Sequence, residues 1–249
     1  MIERERRGTV EVVHLAAPPL NLLGSGMIAA VEETFRELAA DPPRTAILFC
    51  DGGGADVREM RSFDAPAARG FITALHAACR AIRDLDAPVI AAIDGVCLGA
   101  HLEVAAACDL RICSQRSRFG MPEIKVGIPS VIDAWWLVQI CGVGAASSLF
   151  FDGETIDAVE AHRIGLVNRL ASDGALEQDA LAWAGHIAAF SPSALVGQKR
   201  VLRDWTDEPY REAARRSIDR LADAFASGQP AEAMGAMLEK RPARFSGDG

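Results

Sequence analysis

The sequence reads as an α/β protein, a parallel sheet with crossover helices through residues 1–190, followed by a helical segment over 191–249. Three observations lead there. Apolar runs of strand length stand at residues 46–50, 89–93 and 109–113. The stretches between them carry helical signals, and strand signals cease near residue 190. Strands separated by helical segments are the pattern of a sheet whose parallel neighbours are joined through helices.

Residues 9–15 (TVEVVHL) alternate and are rich in valine, which makes a first strand, closed by Pro18-Pro19. His14 within it is an ordinary strand residue, since no second histidine stands at a metal-ligand spacing. Before it, Arg4, Arg6 and Arg7 alternate with Glu3 and Glu5 and read as a solvated start. After Leu20-Asn21-Leu22-Leu23, the residues Ile28, Val31, Phe35 and Leu38 mark one face of a helix over 27–38, ended by Pro42-Pro43. The run 46–50 breaks at Asp51-Gly52-Gly53-Gly54, glycines that permit positive φ and close approach, for a sharp turn or for a ligand.

Phe71, Leu75, Ala78, Ile82 and Leu85 form the stripe of a second helix, stopped at Asp86-Ala87-Pro88. His76 lies one residue off that stripe and is expected to do no chemistry. The continuous apolar run 89–93 before Asp94-Gly95 is that of a strand buried on both faces. A helix carrying Glu103 and a strand over 109–113 follow. Residues 130–143 read as helix, with Trp135 and Trp136 on it, and 166–170 as a short strand. Ser191-Pro192 and Gln229-Pro230 place proline at first helical positions, while Leu195, Gln198 and Leu202, then Ile218, Leu221 and Phe225, keep the helical spacing. The tail after Arg241 is expected to fray. The helix-only segment is expected to pack as an outer layer or against a neighbouring subunit.

Half of the 249 residues are hydrophobic, so a sizeable core is possible without disulfides or metals. A formal net charge of -8 argues against nucleic acid as a partner, because binding a phosphate backbone rests on clustered Lys and Arg. Cys50, Cys79, Cys97, Cys108, Cys113 and Cys141 include no C-x-x-C spacing and read as reduced core thiols. No signal-peptide core opens the chain, and no uninterrupted apolar run reaches the ~18 residues of a membrane span. The expectation is a soluble, cytoplasmic protein with no membrane partner.

Chemistry is concentrated in Gly95-Val96-Cys97-Leu98-Gly99-Ala100-His101-Leu102-Glu103 and, about twenty residues on, Phe119-Gly120-Met121-Pro122-Glu123. A strand that ends in a glycine-flanked turn and feeds a helix leaves backbone N–H groups free at the helix start. Glu103 is surrounded by apolar and small neighbours, so its helix is a buried one. A buried carboxylate is paired with a cation, here Arg111 or Arg80, or is shifted in pKa, or faces a cavity. Pro122 biases Met121 to an extended conformation and presents Glu123 from a turn.

The order Gly54-Ala55-Asp56, then Gly95 to Glu103 with Cys108-Asp109 behind it, then Phe119-Gly120-x-Pro122-Glu123 and Gly127-Ile128-Pro129, closely resembles the enoyl-CoA hydratase/isomerase (crotonase) superfamily. The likeness continues through Gly153-Glu154-Thr155-Ile156-Asp157-Ala158, Gly165-Leu166-Val167 and Phe245, nearly the whole chain. It implies the ClpP/crotonase-like fold, a superhelix of repeated ββα turns with two sheets and a helical C-terminal region that joins trimers, often as dimers of trimers. It also implies an acyl-CoA thioester substrate, with fatty-acid metabolism as the setting. No metal or redox cofactor is implied, since coenzyme A arrives as part of the substrate.

By position, the resemblance assigns the oxyanion-hole N–H groups to Ala55 and Ala100 and the acid/base pair to Glu103 and Glu123. Glu103 would orient and help deprotonate a water, and Glu123 would protonate the α-carbon. The acyl-CoA would be bound by Leu20, Asn21, Gly54, Asp56, Val57, Arg58, Gly99, Pro122, Ile128 and Trp135. Retention of both glutamates favours hydration of 2-enoyl-CoA. The alternatives are double-bond isomerisation, thioester decarboxylation or hydrolysis, and, outside catalysis, a CoA-thioester-binding subunit. A serine peptidase is disfavoured because no serine occupies the oxyanion turns.

The chain departs from the family pattern at three places. The loop between residue 50 and Gly54-Ala55-Asp56 is cut to Asp51-Gly52-Gly53, and Ala100-His101 stands where glycines are common. The usual glycine-rich continuation after Pro129 is replaced by Ser130-Val131-Ile132-Asp133-Ala134-Trp135-Trp136. His101 reads as a wall residue or one that supports the wall from behind, in preference to a proton donor, and Asp133 as a third candidate for chemistry.

Overall fold

The computed structural model describes residues 2–18 and 20–245; Pro19, the second proline expected to close the first strand, and residues 246–249 lie outside the described residues. β1 (Ile2–Arg7) and β2 (Val10–Leu15) form an antiparallel hairpin turned at Gly8. The stretch read as a solvated start is thus an edge strand with exposed side chains. Its alternating charges suit an edge, where they discourage further pairing. Arg4 and Arg6 both reach the buried Glu11 carboxylate, at 3.0 and 2.6 Å.

The later strands are β3 (Thr45–Asp51), β4 (Val89–Asp94), β5 (Val96–Leu98), β6 (Leu110–Cys113), β7 (Arg118–Gly120), β8 (Ile156–Asp157) and β9 (Arg169–Leu170). A six-stranded sheet runs β1-β2-β3-β4-β6-β9, parallel throughout except for the first hairpin, and β5-β7-β8 make a second, three-stranded sheet. The successive pairs β4-β5 and β6-β7, each followed by helix, are the expected ββα repeat.

Helices α1 (Ser25–Leu38), α2 (Val57–Met60), α3 (Ala65–Asp84), α4 (Ala100–Ala107), α5 (Trp135–Asp152) and α6 (Ala158–Arg163) lie between strands. The chain then runs through α7 (Leu176–Ala188), α8 (Pro192–Asp207), α9 (Tyr210–Ala226) and α10 (Gln229–Leu238). One face of the large sheet, with Leu48, Ala91 and Ile93, packs on Phe35 of α1, Leu75 and Ile82 of α3 and Leu102 of α4. The other face, with Ile47, Phe49 and Ile90, is covered by Ala180, Trp183 and Ala184 of α7. Burial on both faces explains why β3 and β4 are apolar without alternation, and each fully buried Ile or Leu contributes roughly 1.5–3 kcal/mol. All eight residues of α4 are buried, as its composition requires.

Two expectations need correction, the helix start at residue 130 and the frayed tail after Arg241. Helix does not begin at residue 130: Val131 is extended, Ile132–Ala134 is a 3₁₀ turn, and α5 runs on to Asp152. Residues 132–152 form a helical stretch that by length and composition is apolar enough to cross a membrane. It breaks at Gly142 (φ +79°), into segments shorter than the ~20 residues of a spanning helix. The tail is tied down as far as Phe245: Arg241 pairs with Glu232 at 2.7 Å, Arg244 N donates to the same carboxylate at 2.8 Å, and Phe245 is buried.

The six cysteines are unbridged, five of them buried. Burial pushes the Cys108 and Cys113 thiols up to about 12, so they stay protonated. Lys199 of α8 is buried and anchors the helical region to the sheet layer, its Nζ donating to Ala87 O at 2.8 Å and pairing with Asp109 at 2.9 Å.

Candidate active site

Three turns meet where β3, β5 and β7 end. Leu98 N donates to Gly53 O and Gly99 N to Gly120 O, each at 3.0 Å. These bonds set Gly53-Gly54-Ala55, Leu98-Gly99-Ala100 and Gly120-Met121-Pro122-Glu123 side by side. Leu23 N donates to Gly54 O at 2.9 Å and accepts on its own carbonyl from Asp56 N at 3.0 Å. In a parallel bridge this points the N–H of Ala55 to the opposite side. Ala100 opens α4, where N–H groups have no intrahelical acceptor. Neither the Ala55 nor the Ala100 N–H has an acceptor among the described residues.

Gly99 makes the second turn possible, with φ +50° and ψ −121°, a conformation essentially reserved for glycine. A β-carbon at Gly99 would also overlap the carboxylate of Glu123.

Glu103 lies one turn inside α4 and is buried. Neither proposed cation reaches it. Arg111 spends its guanidinium on the carbonyls of Leu166, Ala105 and Cys108, and Arg80 pairs with Asp84 and Asp207. The partner of Glu103 is a backbone group, the Ala134 N–H, 2.9 Å from Oε1. Burial raises Glu103 to about 8, against that hydrogen bond, and the nearby negative charges of Asp133 and Glu123 push the same way. Glu123 is half-buried on the 3₁₀ turn Pro122–Val126 and accepts from Ser130 Oγ at 3.3 Å. Burial raises its pKa as well. Two carboxyl groups whose pKa burial raises, Glu103 to about 8, therefore stand beside two N–H donors with no acceptor among the described residues, an arrangement able to stabilise an oxyanion and move protons next to it.

His101 is a supporting residue and not a proton donor. It is fully buried, its Nε2 donates to Asn21 O at 2.6 Å, and burial lowers its pKa to about 4. It is neutral at ordinary pH and holds the Leu20-Asn21 segment from below. Asp133 is buried with both oxygens engaged, Oδ2 by His76 Nδ1 at 2.8 Å and Oδ1 by Trp136 Nε1 at 3.2 Å. His76, expected to do nothing, is its partner.

The comparisons with known proteins agree with this geometry. A sequence profile described as enoyl-CoA hydratase/isomerase matches residues 5–248. The chain belongs to the enoyl-CoA hydratase/isomerase family. The short-chain-enoyl-CoA hydratase of Clostridium acetobutylicum is 31% identical over 245 residues, covering 95% of this chain and 94% of the relative. The cyclohexa-1,5-dienecarbonyl-CoA hydratase of Thauera aromatica is 33% identical over 248 residues, covering 97% and 94%. Among solved structures, the enoyl-CoA hydratase of Mycobacterium smegmatis superposes with a TM-score of 0.91 at 27% identity, covering 98% of each chain. The crotonase fold expected from the sequence is the fold of the chain.

In this family member, several of the residues expected to bind the acyl-CoA lie in or beside the three turns. Leu20 and Asn21 lie over Gly53, whose missing side chain lets their carbonyls come close, and Asn21 itself has φ +49°. Gly54 packs on Leu98, and Asp56 is spent as the N-cap of α2, accepting from Arg58 N at 2.9 Å. Val57 and Arg58 are exposed beside it. Pro122 starts the 3₁₀ turn of Glu123, while Ile128 and Trp135 are partly exposed. Sequence reading missed Ala134 and Ser130 as partners of the two glutamates. A backbone donor leaves no signal in residue type, whereas Ser130 could have been noticed as the one hydroxyl near the second glutamate's turn.

Proposed function

We propose that the protein hydrates 2-enoyl-CoA thioesters, adding water across the C2=C3 bond through an enolate whose oxygen is held by the Ala55 and Ala100 N–H groups. Glu103, as carboxylate, takes a proton from the water that attacks the β-carbon, and Glu123 delivers one to the α-carbon. The observation that carries this reading is the pairing of two burial-shifted carboxylates with two N–H donors that have no acceptor among the described residues. Named relatives that are hydratases support it. Positioned acid/base groups contribute roughly 10²–10⁴ each, and one oxyanion donor about 10²–10³. Coenzyme A enters as part of the substrate, and the reaction as written uses no other cofactor. Leu20, Asn21, Gly54, Asp56, Val57 and Arg58 flank its path, and Gly99, Pro122, Ile128 and Trp135 border the acyl group.

The test is incubation with crotonyl-CoA, following the enoyl-thioester absorbance and the product mass. Loss of absorbance with the gain of one water supports hydration. A product of unchanged mass supports isomerisation, and no turnover with any enoyl chain length refutes both.

We further propose that the helical region 191–249 assembles copies of this chain into a trimer or a dimer of trimers, and that the protein works in the cytoplasm. α9 supports assembly by its inverted amphipathicity. Arg216 and Arg220 face the buried Asp204 of α8, while Ile218, Leu221 and Phe225 point outward. Six cysteines without a disulfide bridge suit a reducing compartment.

A further inference from the structure

We propose that His76 and Asp133 are a positioning pair that holds the Ile132–Ala134 turn and, through the Ala134 N–H, the Glu103 carboxylate. This rests on the reading of Glu103 as the group that acts on water. The contacts are continuous: His76 Nδ1 donates to Asp133 Oδ2 at 2.8 Å, and Ala134 N, next in the chain, donates to Glu103 Oε1 at 2.9 Å. His76 comes from α3, so the pair clasps the turn to a second helix.

The turn needs such a clasp. Ile132 has φ +42°, a left-handed conformation that a β-branched side chain opposes and that persists only where the surroundings over-determine it. The second oxygen of Asp133 is held by Trp136 Nε1 at 3.2 Å, and the Trp136 ring lies under the Arg83 guanidinium, 3.4 Å from its centre. With both oxygens engaged, Asp133 is a poor candidate to attack or protonate a substrate, and its place in the site is mechanical and electrostatic.

The titratable and charged groups facing the pair are Cys79 and Arg83 from α3 and Glu103 from α4, with Glu123 of the neighbouring 3₁₀ turn acting on Glu103. Asp133 is thus a second buried carboxyl group beside Glu103, and His76 is the donor to its Oδ2. The His76 side chain is 51% exposed, so it can be replaced without opening the core. Removing it leaves Asp133 short of a donor, frees the turn and weakens the hydrogen bond that favours ionised Glu103. The freed turn and the weakened Ala134 hydrogen bond both raise the proton affinity of Glu103.

The experiment measures the Glu103 titration directly, by pH-difference infrared spectroscopy of the protonated carboxyl stretch, assigned by its disappearance in Glu103→Gln. It is combined with steady-state kinetics on crotonyl-CoA. In His76→Ala the midpoint is expected to rise by about one pH unit. At neutral pH kcat should then fall about tenfold, with KM within about twofold. His76→Asn, whose amide nitrogen sits where Nδ1 does, should restore both. An unmoved midpoint in His76→Ala overturns the proposal, whether or not the melting temperature falls. Full activity in Glu103→Gln together with a shifted midpoint in His76→Ala refutes the role of Glu103 in hydration and leaves the positioning pair standing.

Discussion

The Oε1 atom of Glu123 lies against the α-carbon of Gly99, in the space that a side chain there would occupy. The missing side chain of one turn is therefore the seat of the carboxylate of another. Gly99→Ala should displace Glu123 and strain a positive-φ residue at once, lowering kcat by about 10²-fold or more and stability by roughly 1–3 kcal/mol. Gly95 separates the two effects, since it has φ +82° but open space where a β-carbon would point. Gly95→Ala should lose comparable stability in thermal melts while keeping most of its activity. Equal activity losses in the two variants would show that strain, not the seat, is what matters.

Glu103 makes both stability and activity depend on pH. Its pKa is near 8 in the folded protein against an ordinary value of 4.5, so between these pH values the folded state holds a proton that the unfolded chain has released. Stability from this group is fully present below pH 4.5 and is lost as pH rises through 8, an effect on the order of 5 kcal/mol. Glu103→Gln should accordingly be less sensitive to alkali, and its melting temperature should exceed that of the wild type at pH 9. As the proposed base Glu103 acts in its ionised form, so kcat/KM for crotonyl-CoA should climb with pH and level near pH 8. A flat profile from pH 6 to 9 would remove Glu103 as the base.

Particular residues show how far the sequence alone reaches. The burial of Glu103 is readable because Leu102, Val104, Ala105, Ala106 and Ala107 surround it with apolar or small side chains, and the chain order of the glycine turns carries the family resemblance. What holds Glu103 is not readable, because its partner is the backbone of Ala134, 31 residues away. The pairing of His76 with Asp133 spans 57 residues and carries no local pattern. β1 was hidden for another reason. Its alternating Glu and Arg lack an apolar face, and pairing with the valines of β2 makes it a strand. The three-residue strands β5 and β7 are too short for any period to show, and exist through their pairing with each other.

His101 links the α4 helix to the Leu20-Asn21 segment, and its substitution should separate binding from chemistry. His101→Phe keeps the ring volume but leaves the Asn21 carbonyl without its donor. KM for acyl-CoA should rise about tenfold, as expected for a lost buried hydrogen bond, with kcat little changed. The histidine is held neutral, with a pKa near 4 against an ordinary 6.5. The unfolded chain therefore binds the extra proton between these values, and stability falls as pH drops from 6.5 to 4. His101→Phe removes that dependence. Melting curves at pH 7 and pH 4.5 should lie closer together in the variant, and a wild-type-like gap would mean that another group governs acid lability.

The outward face of α9 predicts how the protein assembles. Ile218 and Leu221 are 71% and 63% exposed on a helix whose arginines are turned inward to Asp204. Water would reverse that arrangement in an isolated subunit, because exposed apolar residues at helical spacing gain about 25 cal/mol per Å² when covered. α10 adds Met237 and Leu238, also exposed, and a patch of this kind marks an interaction surface. Ile218→Asp combined with Leu221→Asp should shift sedimentation from an oligomer to a monomer with little change in helical content, since neither side chain contributes to the monomer's core. A wild-type chain that sediments as a monomer at micromolar concentration would refute the assembly. Unchanged sedimentation of the double variant would place the contact elsewhere, with the exposed Val143 and Phe151 of α5 as the next surface to substitute.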